Sequence, residues 1–156
     1  MDLLAPVAGT MLAQTIQLAL APVFVLVAIG NIISTLTQRL GRVVDRSRDL
    51  QERHGATQNM EHDMVVREIR SLDKRIALIG AAMRLLVMAS IAIGLTVVML
   101  FVAEFAHIGL NPVAAGLFIT AIGLLMWALV LFLRETQLAT EALRIPEEFL
   151  EKEREL

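Results

Sequence analysis

Apolar residues fall into three long blocks along this chain, separated by polar stretches of very unequal charge. Residues 16–38, 76–103 and 112–133 are each apolar enough, over at least about 20 residues, for a helix that crosses a hydrocarbon core. The second block carries one charge, Arg84. A soluble helical bundle is the competing reading, but no soluble core helix needs an apolar run of that length. The pattern predicts an all-α membrane protein with three transmembrane helices.

Between the first two blocks the apolar pattern thins without ending. Val65, Ile69, Leu72, Ile76, Ile79, Met83 and Leu86 alternate spacings of four and three, the seam of a coiled coil. Ile29, Ile33, Leu36, Leu40, Val43 and Leu50 answer on the outgoing arm, with Ser47 the weak member. Residues 39–75 therefore read as an antiparallel helical hairpin that extends the first two helices beyond the bilayer. Gly55 sits where a helix-ending glycine would. "GATQN" makes the turn, and Asn59 is placed to cap the second arm, with Glu61 and Asp63 in its first turn. This register sets Arg39 beside Arg75, and Arg84 beside Gly30 and Asn31.

Charge gives the orientation. Nine basic residues, Arg39, Arg42, Arg46, Arg48, Arg53, Arg67, Arg70, Lys74 and Arg75, lie between the first two blocks. Arg144, Lys152 and Arg154 follow the third, while residues 1–15 and 104–111 hold no Lys or Arg. Basic residues stay on the cytoplasmic side. The expectation is a periplasmic N-terminal segment (1–15) and loop (104–111), a cytoplasmic hairpin, and a cytoplasmic C-terminal helix and tail (134–156) broken at Pro146. A cleaved signal peptide is the other reading of the first block. It lacks a basic leading region, and its apolar stretch is too long.

Composition removes function classes. The chain is 56% hydrophobic with a net charge of −2, so charge argues for no nucleic-acid partner. With no cysteine and three scattered histidines (His54, His62, His107), no metal site and no cofactor are expected. No nucleophile–base pair or phosphate loop is visible, so no enzyme is expected either.

The first helix also carries polar residues in two adjacent heptad lines. One is Gln14, Ala21, Ala28, Thr35, Arg42 and Asp49; the other is Gln17, Phe24, Asn31, Gln38, Asp45 and Glu52. Amides facing lipid are unfavourable, so such a stripe should face protein or water. One reading is a helix–helix contact, with small residues allowing close approach and amides bonding across it. The other is a pore lined by this helix in a ring of several chains, with Phe24 as an apolar constriction. Asp45, Asp49 and Glu52 would then form a cation-favouring vestibule opposed by Arg42.

Arg84 has two placements open. It snorkels to the interface, or it is a buried cation bonded to Asn31, Ser34 or backbone carbonyls. Pro22 should kink the first helix or free a carbonyl. Ser90 with Gly94, and Gly116 with Thr120, are small-residue pairs of the kind that let helices approach.

Residues 16–50, "IQLALAPVFVLVAIGNIISTLTQRLGRVVDRSRDL", carry a resemblance. With "FLRETQLAT" later, the chain resembles the bacterial integral membrane family catalogued as domain of unknown function 2721, from about residue 16 to residue 144. "LAPVF" and "LTQRLGRVVDR" are its most specific parts. The resemblance implies a small multi-span protein of the bacterial inner membrane and supplies no activity. The expected partners are the lipid bilayer, further copies of the chain and, for the hairpin, a cytoplasmic protein. Two functions are expected: a cation-leaning ion channel lined by the first helix, or a non-conducting scaffold or sensor.

Overall fold

The computed structural model describes residues 5–55, 59–106, 109 and 111–141, with side chains left undescribed at 5–15, 18, 59, 60 and 141. Three helices account for nearly all of them: α1 (Ala5–His54), α2 (Asn59–Ala106) and α3 (Asn111–Glu141). Each is long and apolar enough to cross a membrane.

Buried positions recur every seventh residue. On α1 they are Pro22, Ile29, Leu36, Val43 and Leu50; on α2, Leu72, Ile79, Leu86 and Ile93; on α3, Ala114, Ala121, Ala128 and Glu135. A seven-residue repeat keeps one narrow face of a 3.6-residue helix toward its neighbour. A second buried line on α2, Ala82, Ala89 and Thr96, is made of small residues. α2 packs against both other helices, whereas α1 and α3 barely approach each other. α2 thus carries one buried line of large residues and one of small residues, in keeping with its two neighbours. Alanine lines permit the close backbone approach on which helix association in lipid depends.

The same seam runs through two surroundings. Along the apolar spans the outer surface is lipid-like, with Phe24 70% and Phe105 77% exposed beside Ile91, Val98, Ile119 and Trp127. There packing and small residues hold the helices together, because lipid supplies no hydrophobic drive. Past residues 39 and 75 the outer surface is charged. Val43, Leu50 and Leu72 remain buried, and each contributes about 1.5–3 kcal/mol where water is the alternative. Arg46 Nε donates to Glu68 Oε1 at 2.9 Å between the arms. The rings of His54 and His62 lie 4.5 Å apart near the tip.

All the seam residues expected from spacing are buried or pack against the buried core. Ser47 is also buried, and its hydroxyl accepts from Gln51 Nε2 at 3.2 Å. Some local expectations differ. α1 starts at Ala5, well before residue 16. It stays helical through Pro22, and the carbonyl four residues back is left without its usual amide, as one of the two expectations for this proline has it. Gly55 turns the chain without left-handed backbone. Asn59 is the first residue of α2, and its capping side chain lies outside the described residues. The hydroxyls of Ser90 and Thr120 donate to carbonyls of their own helices, at Leu86 and Gly116. Gly116 and Thr120 face outward. His107 and everything after Glu141, Pro146 included, lie outside the described residues.

Candidate functional site

Where α3 leaves its apolar span, its buried line ends in a carboxylate. Glu135 occupies the position that alanine holds at residues 114, 121 and 128, and it is 0% exposed. Arg39 of α1 donates from Nε to its Oε2 at 3.0 Å, and Nη2 lies 2.8 Å from the same oxygen. Arg75 of α2 donates from Nε to Oε1 at 3.0 Å, with Nη2 also at 3.0 Å. Each oxygen therefore has its own guanidinium, and one acid joins all three helices. The arginine side chains stay 25% and 18% exposed. The Arg39 guanidinium also lies over the Phe132 ring, 5.4 Å from its centroid. Among the described residues no buried side-chain nitrogen or oxygen lacks a partner.

Local sequence explains the assembly. The close-approach face of α3 continues one heptad beyond its alanines, so the next residue inward must be small or satisfied. Glu135 meets the second condition because the seams of α1 and α2 each place an arginine at the same level. A carboxylate that accepts from two guanidiniums has the charge-assisted bonds that offset its removal from water.

Most of the polar stripe of α1 is exposed, including Ala21, Ala28, Thr35 and Arg42 of the first line. Ala21 and Arg42, of the first line, border spaces shared with α3. Thr35 in the same line is exposed, and its hydroxyl donates to the Asn31 carbonyl at 3.1 Å. Asp49 is half-buried and engaged twice, with Arg46 at 3.0 Å and Arg53 at 3.2 Å. The second line, Gln17, Phe24, Asn31, Gln38, Asp45 and Glu52, is exposed throughout. It lies on the side of α1 turned away from α2. The Gln14 side chain lies outside the described residues.

Arg84 is exposed and bonds neither Asn31 nor Ser34. It heads the outward line Ile91, Val98 and Phe105. Its Nη1 lies 3.6 Å from where a β-carbon on Gly80 would stand, so the side chain bends back one turn toward Arg75. A long basic side chain bent back along its own helix in this way is what snorkelling would require. Within the single chain residue 84 lies away from the α1 seam.

Glu135 is the residue that sequence reasoning missed. The signal was present as Ala114, Ala121, Ala128 and Glu135 at heptad spacing, inside "FLRETQLAT". An acid on a line of alanines has to meet a cation. The pairing of Arg39 with Arg75 at one level was read correctly, but without the acid that makes it tolerable.

No curated protein and no solved structure matches the chain. A family model described as "Protein of unknown function (DUF2721)" matches residues 19–145, a stretch that holds Arg39, Arg75, Glu135 and almost all of the α1 polar face, and the chain belongs to that family.

Proposed function

We propose that the chain forms a homo-oligomer in the bacterial inner membrane, with the outer polar line of α1 facing a shared axis, and that this axis conducts ions. One observation carries the reading. Gln17, Asn31 and Gln38 are exposed on the side of α1 that neither α2 nor α3 covers. In a lone subunit these amides would face lipid, where they are unfavourable. From Gln17 to Glu52 the line runs roughly 52 Å at 1.5 Å per residue, further than a hydrocarbon core of about 30 Å. In this arrangement Phe24 is the apolar constriction. Asp45 and Glu52 supply the cation-leaning mouth, since Asp49 is already shared by two arginines and Arg42 borders the cleft shared with α3. The arms form a cytoplasmic hairpin, the N-terminus is periplasmic, and no catalysis or cofactor is involved.

Reconstituted liposomes containing intact oligomer test it. Wild type or Phe24→Ala should pass monovalent cations, with larger flux in the variant. Asp45→Asn with Glu52→Gln should lower cation preference without unfolding the protein. A chain that stays monomeric in lipid nanodiscs would overturn the proposal.

A second reading is a non-conducting scaffold or sensor whose arms bind a cytoplasmic protein. It is supported by the length of the packed arms, in which α1 alone continues roughly 22 Å past Arg39. Intact oligomers silent in both wild type and Phe24→Ala would favour it.

A further inference from the structure

We infer that the groove between the arms and the end of α3 binds the phosphate of an anionic phospholipid headgroup. Two adjoining cavities, of about 290 and 480 Å³, share Arg46, Leu72, Arg75 and Ala139 as walls. Arg39 and Arg42 complete the first, and Arg67 and Glu68 the second. Five arginines thus converge on one space, with Glu68 as its only acidic wall residue among the described residues.

The arginines are in three different states. Arg39 and Arg75 are pinned by Glu135 through Nε and Nη2, which leaves Nη1 of each unbonded among the described residues. Arg46 is engaged by Glu68 and Asp49. Arg42 and Arg67 have no ion-pair partner among the described residues. Two oriented guanidiniums beside two uncommitted ones make an oxyanion site, because guanidinium forks match phosphate oxygens and their ordering has already occurred.

The groove's position selects the source of the phosphate. Arg39 and Arg75 directly flank the apolar spans, so the groove opens where hydrocarbon gives way to headgroups. A basic pocket between helices at that level suits an anionic headgroup. This inference stands whether or not α1 lines a conduit.

The test places purified protein in phosphatidylcholine nanodiscs with and without phosphatidylglycerol, and counts retained lipids by native mass spectrometry. Phosphatidylglycerol should be retained in preference. Arg42→Gln and Arg67→Gln should each lower its retention about tenfold or more, the loss of a charge-assisted hydrogen bond to the phosphate and more than surface charge alone would cost. Neither variant touches the Glu135 junction. Arg134→Gln, exposed at the same membrane border but outside the groove, should leave retention little changed. An equal fall in all three variants would reduce the effect to general surface charge and overturn the site, as would no fall in any. A second arm titrates inorganic pyrophosphate into protein in pure phosphatidylcholine discs, where no binding is expected. Pyrophosphate binding that both groove variants abolish, with no phosphatidylglycerol preference, would assign the groove to a soluble phosphate and overturn the lipid.

Discussion

Arg39 and Arg75 carry the same charge on two different helices and yet stand side by side, each bonded to its own oxygen of the buried Glu135 carboxylate. Neither arginine could occupy that level comfortably without the acid, and the acid could not be buried without them.

Glu135→Ala should therefore destabilise the protein by about 3 kcal/mol, the lower end for breaking a buried ion pair, because both arginines keep some contact with solvent. Thermal unfolding in detergent measures it. Arg39→Gln should be damaging in the wild type and nearly neutral once Glu135 is gone. Additive losses across that cycle would show that the three residues do not act as a unit.

Leu72 is buried where α1 and α2 pack beyond the apolar spans. Leu72→Asp should lower stability by about 3 kcal/mol or more, as a charge placed in an apolar seam. Arg70→Gln, on the exposed face of the same arm, should stay within about 0.5 kcal/mol. An unchanged melting temperature for Leu72→Asp would contradict the seam.

Because Arg84 reaches back over Gly80 and not across to Asn31, the two should be energetically independent. Arg84→Leu and Asn31→Leu are expected to be additive within about 0.5 kcal/mol, and Arg84→Leu alone neutral or mildly stabilising. Gly80→Ala should be tolerated, since its methyl would meet Nη1 at an ordinary 3.6 Å. Strong coupling in the cycle would return Arg84 to the helix interface.

The charge distribution sets an expectation for sidedness. Reporters inserted at Ala56 or fused after Leu156 should be cytoplasmic, and one inserted at Gly109 periplasmic. Labelling of residue 109 from the cytoplasmic side would overturn the proposed topology.

Much of this fold was legible because heptad spacing reports directly on which helix face is covered. Ile29, Leu36, Val43 and Leu50 could be matched to Val65, Leu72, Ile79 and Leu86 from spacing alone. Interfaces made of alanine were not legible in the same way. Ala82 and Ala89 differ little in hydropathy from residues that face lipid, so the α2–α3 contact left only a periodic trace of small side chains. Glu135 was hidden for a related reason: a lone acid at the end of a span looks like solvated sequence until the cations on two other helices are brought to it. The α1 stripe was found as a pattern, but that Ala21 and Arg42 border clefts shared with α3 depended on where α3 stands. Arg84 turned on a side-chain direction that hydropathy does not encode.

The alternate ends of the bundle are built to different mechanical standards. At the charged end, Glu135 cross-ties α1 and α3 through short bonds. Toward the other end the same two helices face each other across a cavity of about 330 Å³, lined by Ala21 and Pro22 on one side and by Ala114, Ala115 and Phe118 on the other. That space is an open cleft, so among the described residues α1 has no comparable tie to α3 at this end. α1 is thus tied to α3 by the Arg39–Glu135 ion pair at one end only, and to α2 along its packed seam.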